Sequence, residues 1–212
     1  GVEQNITKAV EWYKIAAERG INAAMVHLSK LYETGDGVPR DLTIAADWLR
    51  PAVKAGDSEA KTALALLYLQ GETDDRFAAK QLLIEAADAG YTLAAVQLGH
   101  FFAGKHDNTD EWAEAIAWYR KAAEAGNVEA QFIVGSSYFH GRNVSADPIV
   151  AASWFERAAH SGNSAAQFQL AVMYCTGQGG LIDLGKAVAW YELAAQSGHR
   201  VAQYNLAVMM SK

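Results

Sequence analysis

The sequence predicts an all-α solenoid, a stack of helix pairs, and three observations predict it. A glycine recurs at Gly20, Gly56, Gly90, Gly126, Gly162 and Gly198, spaced by 36, 34, 36, 36 and 36 residues. Apolar columns stand 11, 8, 7, 4 and 3 residues before it and 4, 8, 9 and 12 after it, the steps of two successive helix faces. Length variation collects between a second glycine (Gly35, Gly71, Gly104, Gly141, Gly177) and the next helix, as insertions in stacked repeats do. A two-helix unit is too small to bury its own apolar face, so about six units must bury it against their neighbours. The expected domain is a single solenoid over 1–212, with units centred on those six glycines and no linker.

Each element has a chemical start and stop. Asn5, Asp41, Asp75, Glu111, Asp147 and Asp183 form a column of N-caps for the first helices, and Pro148 takes the favoured first helical position. The column eight before the ruler glycine reads Trp12, Trp48, Leu82, Trp118, Trp154 and Trp190; eleven and four before it every unit has Ala. The ruler glycine suits a left-handed residue ending that helix. Asp57, Asn127 and Asn163 open second helices, which carry Ala at +4, Leu or Val at +8, and Tyr, Phe or Met at +12. The Trp and Tyr columns are expected to fill the core, so Trp118→Ala or Trp154→Ala should cost roughly 3 to 5 kcal/mol.

Composition narrows the function. A formal charge of −6 without a Lys/Arg block argues against a nucleic-acid partner. No run of eighteen apolar residues appears, so no membrane span is expected. The chain reads as soluble, cytoplasmic or periplasmic, the compartment staying open, as does the question of further repeats or a signal peptide before residue 1. One cysteine, Cys175, excludes an internal disulfide framework and a cysteine-based zinc site. The six histidines lack metal-ligand spacing, so neither a metal nor a cofactor is expected. Gly177-Gln178-Gly179-Gly180 lacks the strand before it and the Lys-Ser/Thr after it that a phosphate loop needs, and reads as an inter-repeat turn.

The stretch 113–141, AEAIAWYRKAAEAGNVEAQFIVGSSYFHG, and its five variants resemble the Sel-one-like repeat family, a relative of the tetratricopeptide repeats. The shared pattern is A-x-x-W-Y-x-x-A-A-x-x-G-x-x-x-A-x-x-x-L-G-x-x-Y-x-x-G, over about residues 5 to 212. Pro51 inside a helix, Leu82 in the tryptophan column and an early Gly104 depart from it. The resemblance implies a right-handed α-α superhelix that serves as an adaptor or scaffold for other proteins. Cysteine-rich relatives described as binding or hydrolysing penicillin-like compounds stitch each repeat with a disulfide, which one cysteine cannot reproduce.

By the same likeness the second helices line a concave face through offsets +3, +6, +10, +13 and +14. The binding residues expected for a protein or peptide are Leu66, Val96, His100, Phe132, Phe139, His140, Phe168, Val172 and Tyr204. Residues 91–104 and 163–177 carry no Asp, Glu, Lys or Arg, and 127–141 carries only Glu129. A surface helix ordinarily shows a charged face. Neighbouring repeats bury the stripe, or a partner does. If it is open, Phe132, Phe168 and Tyr204 form a one-per-repeat ladder, and Phe168→Ala should weaken capture while sparing the melting temperature. The expected function is a non-catalytic protein- or peptide-binding scaffold. The alternatives are self-assembly of a homo-oligomer through uncapped solenoid ends, and a hydrolase with His100, His140 and Cys175 converging on the concave wall.

Overall fold

A computed structural model describes residues 5–70, 75–104, 109–180 and 182–211. Among these, every regular element is a helix: α1 Ile6–Glu18, α2 Asn22–Thr34, α3 Leu42–Lys54, α4 Ser58–Gln70, α5 Arg76–Asp88, α6 Thr92–Ala103, α7 Thr109–Glu124, α8 Val128–His140, α9 Pro148–His160, α10 Ser164–Thr176, α11 Leu184–Gln196 and α12 Arg200–Met210. The chain resolves into two compact bodies, residues 1–98 and 99–212, and each is built from the same helix pair.

The punctuation works as its chemistry requires. All six ruler glycines have φ between +83° and +92°, where a side chain on any L-residue is strained. Asp41, Asp147 and Asp183 each accept from backbone amides of the helix they open. Their own amides donate to the carbonyls of Tyr32, Tyr138 and Tyr174, which closes the loop between successive pairs. Asp57, Asn127 and Asn163 cap second helices as expected, and the His199 ring caps α12 in the same way. Glu111 does not cap, because α7 begins earlier, at Thr109. α3 runs through Pro51 without interruption.

The packing corrects one expectation. The tryptophan column is not the core: Trp12 is 69% exposed and the other four tryptophans are half-buried. One residue later stand Leu49, Leu83, Tyr119, Phe155 and Tyr191, all buried, with Phe155 at 0%. At about 100° per residue, offsets −11, −7 and −4 fall within about 60° of one another, whereas −8 lies about 40° outside that arc. The tryptophans therefore form a rim. Lys121 and Arg157 sit over the rings of Trp118 and Trp154, at 4.9 and 4.6 Å, and His160 meets Trp190 edge-on.

The buried column is received by a small one, nine residues after the ruler glycine. A Cβ on Gly99 would lie 2.4 Å from the Tyr119 ring, and one on Gly135 would lie 2.8 Å from Phe155. These glycines serve close approach, since neither has a positive φ. Gln131 and Gln167 bind the helices of a pair together, each donating its amide to a carbonyl eight residues back.

Candidate functional site

Second helices lie side by side within each body. α2 packs on α4, and Gln70 on α4 donates to Glu33 on α2. In the C-terminal body His100 on α6 reaches Glu129 at the start of α8 (3.5 Å), and Cys175 on α10 reaches Met209 on α12 (4.0 Å between sulfurs). This layer carries the candidate binding residues at offsets +6 to +14.

Their exposure divides them into three groups. Val96 is 1% exposed and belongs to the core, so it has no surface to offer a partner. Leu66, Phe132, Phe139, Phe168 and Val172 are half-buried. Phe132 and Phe139 lean on Phe155, with centroids 5.7 and 6.2 Å away. Phe168 stacks on the His199 ring at 4.5 Å and meets Tyr191 at 5.9 Å. Offset +6 lies beside the buried +9 column on the helix wheel, which is why these rings have one covered side. His100, His140 and Tyr204 are exposed, Tyr204 at 70%. The expectation that Phe168→Ala spares the melting temperature is therefore revised, because removing this ring also breaks two ring contacts.

His100 stands in a polar chain. The Tyr119 hydroxyl lies 2.8 Å from His100 Nδ1, and His100 Nε2 faces Glu129. Burial first, and then the Glu129 charge, push the Tyr119 phenol up to about 12. A phenol so held remains protonated and donates to the imidazole, leaving Nε2–H to face the carboxylate. The chain can position a surface histidine, but it does not supply a phenolate. His100 meets Tyr119 and Glu129, His140 meets the Phe139 ring, and Cys175 meets Met209, so the contacts of the three residues are with other groups. Among the described residues no group of three His, Cys, Asp or Glu side chains is arranged to hold a metal. No helix among them is long and apolar enough to cross a membrane. His106 lies outside the described residues.

A concavity that the sequence reading passed over lies in the C-terminal body, with a volume of about 280 Å³. It opens between α9, α10 and the loop after Thr176, the stretch read above as a plain turn. Tyr174 on its wall donates its hydroxyl to Glu156 at 3.2 Å. Burial, and then Glu156, raise that phenol above its ordinary range.

Comparison with known proteins decides the family. A Sel1 repeat model matches residues 1–21, 22–57, 58–91, 113–127, 128–163, 164–199 and 200–212. The chain belongs to the Sel1 repeat family. The unmatched stretch, 92–112, is where Gly104 comes early and α7 starts ahead of its column. The family's full-length matches begin at second helices, and α2 with α3, α4 with α5, α8 with α9, and α10 with α11 are the more extensively packed pairs.

A Sel1 repeat protein from Oxalobacter formigenes is 34% identical, with a TM-score of 0.87 over 99% of this chain and 62% of its own. A protective antigen of uropathogenic Escherichia coli, displaying the same fold, is 30% identical, with a TM-score of 0.82 over 99% of this chain and 45% of its own. The chain thus spans about half to three-fifths of the length of these relatives. An immunity protein of Pseudomonas aeruginosa, 23% identical with a TM-score of 0.59 over 90% of this chain and 74% of its own, shares the fold. A comparison with curated protein sequences finds no match. Sel1 repeats generally act as protein-interaction scaffolds.

Proposed function

We propose that this chain is a non-catalytic scaffold that binds a protein or peptide on the second-helix layer of its C-terminal body. The observation that carries the reading is α10, thirteen residues without a charged side chain, beside the exposed Tyr204 of α12. A solvated helix face normally carries charge. Here Phe168 and Val172 are covered on one side only, and Phe132 and Phe139 on α8 repeat the arrangement. Rings held by the core on one side are preorganised, so a partner closing over them loses little side-chain entropy. Each could contribute roughly 1.5 to 3 kcal/mol of apolar transfer if fully buried. His100 and His140 would supply a polar border. The partners of His100, His140 and Cys175, none of which pairs a nucleophile with a base, favour a scaffold over the hydrolase alternative.

Tyr204→Ala tests the reading cleanly because the ring is mostly in solvent. Affinity for any protein captured from a native lysate should fall at least about tenfold, the lower end of one lost aromatic anchor. The melting temperature should stay within about 3 °C, equivalent to roughly 1 kcal/mol in a chain of this size. Unchanged capture by both Tyr204→Ala and His140→Ser would remove this face from the function.

A further inference from the structure

The cavity beside α9 and α10 lies against an inter-repeat loop that two other repeats build at the same length, and the comparison among the three shows what differs there. Three loops have the same length, Gly35 to Asp41, Gly141 to Asp147 and Gly177 to Asp183. Their third residue has left-handed backbone in each case: Gly37 at φ 74°, Asn143 at 57° and Gly179 at 84°. Their fourth residue is Val38, Val144 and Gly180. Val38 packs on the core cluster of its body, whereas a Cβ on Gly180 would meet nothing within 4 Å. The valine that occupies this position in the sister loops is missing.

A second departure falls at the same spot. Six residues before the ruler glycine, the first and fourth repeats carry Lys14 and Arg120, and each places its cation over the tyrosine at +12. Lys14 lies 5.8 Å from the Tyr32 ring, and Arg120 lies 5.9 Å from the Tyr138 ring while donating to its hydroxyl at 2.8 Å. The fifth repeat has Glu156 there, which accepts from Tyr174 instead. Lys186 lies 5.1 Å from the Tyr174 ring and 3.9 Å from Asp183, and among the described residues no cation forms an ion pair with Glu156. At these two positions the fifth repeat therefore carries a glycine where the sister loops carry valine, and a carboxylate where the first and fourth repeats carry a cation, both beside the cavity.

We infer that this cavity is a binding site for a lysine side chain of a partner protein, its ammonium on Glu156 and its stem along Ile149, Ala152 and Met173. The volume lies at or below the small end for metabolite pockets, which suits one side chain. Glu156 Oε1 already accepts the Tyr174 hydroxyl, so a compact ammonium fits better than the two-pronged guanidinium of arginine, which pairs best with both carboxylate oxygens. Gly179 fixes the loop wall: its backbone lies so close to Pro148 that a Cβ would come 2.7 Å from that carbonyl. Its α10 residues, Met173 and Tyr174, lie on a different face of that helix from Phe168 and Val172, so the site stands or falls independently of the proposed binding face.

The test is an amide chemical-shift titration of the 212-residue chain with N-acetyl-lysine methylamide and, in parallel, its uncharged analogue N-acetyl-norleucine methylamide. The Gly179 and Gly180 amides should shift saturably with the lysine probe, at an affinity several-fold above that for norleucine. Gly180→Val, which restores the sister-loop residue, and Glu156→Arg, which restores the arrangement of Arg120 with Tyr138, should both abolish the response. Both reproduce side chains the fold already carries at this place, so circular dichroism should show them folded. Equal response to the two probes, absence of response in the wild type, or a response that persists in Gly180→Val overturns the assignment.

Discussion

Gly135→Ala probes the contact that joins one repeat to the next. The added Cβ would lie 2.8 and 2.9 Å from two atoms of the Phe155 ring and 3.3 Å from Trp154 Cβ. Phe155 is 0% exposed, so the ring has no solvent side into which to retreat. Overpacking of this kind costs about 1 to 3 kcal/mol. Alanine returns up to about 1 kcal/mol through helix propensity. The net expectation is a loss of roughly 1 to 2 kcal/mol, or about 2 to 8 °C in melting temperature for a chain of this size. Gly185→Ala in the first turn of α11 is the control, since its Cβ would meet only Asp183 Oδ1 at 3.4 Å, and it should be neutral or stabilising. The decisive assay is a double-mutant cycle with Phe155→Leu, read by urea denaturation. The second and third repeats carry Ala65 and Leu83 at these columns, both buried at 0%, so the double variant recreates a combination the fold already uses. It should be more stable than the sum of the single changes by about 1 kcal/mol. A Gly135→Ala variant as stable as wild type, with additive behaviour in the cycle, would refute size matching between the +9 and −7 columns.

Three further outcomes follow from the same geometry. Phe155→Ala should cost about 3 to 5 kcal/mol by denaturation, and Trp154→Ala only about 1 to 2, because the tryptophan is half-buried and the phenylalanine is not. Asn143→Ala should lose about 1 kcal/mol and Asn143→Gly almost nothing, since φ is 57° there and asparagine tolerates that region better than alanine. The Tyr119 phenol is raised from 10 to about 12 in the folded chain, so the folded state holds its proton more tightly than the unfolded one. That contribution to stability is complete below about pH 10 and lost as the pH rises through about 12. Alkaline denaturation followed by circular dichroism should accordingly show a weaker pH dependence between 10 and 12 in Tyr119→Phe.

The architecture was legible because it is periodic. Six glycines, their caps and the alanine columns each recur with a fixed chemical task, and the structure uses all six glycines in the left-handed region. What periodicity does not reveal is which of two adjacent columns points inward: tryptophan is the more recognisable residue, yet the alanine columns flanking it share an arc with the position after it. The candidate face was legible as a charge-free stripe. Its depth was not, because burial at +6 depends on the ring stacked against it from the neighbouring helix, as His199 does against Phe168. The fifth-repeat cavity was hidden for the opposite reason. Gly180 and Glu156 look ordinary until the loops are aligned on their left-handed residues, and then both stand out as replacements for a valine and a cation.

The proposed binding face can be addressed position by position with a photocrosslinking amino acid placed at 204, at 140 and at 77. Tyr204 and His140 lie on the second-helix layer, and Phe77, 75% exposed near the start of α5, is an equally accessible apolar position on a first helix. Irradiation in a native lysate should give a common protein or peptide adduct from 204 and 140 and none from 77. Adducts from 77 matching those from 204, or no adduct from 204 while the chain remains folded, would contradict binding on this face.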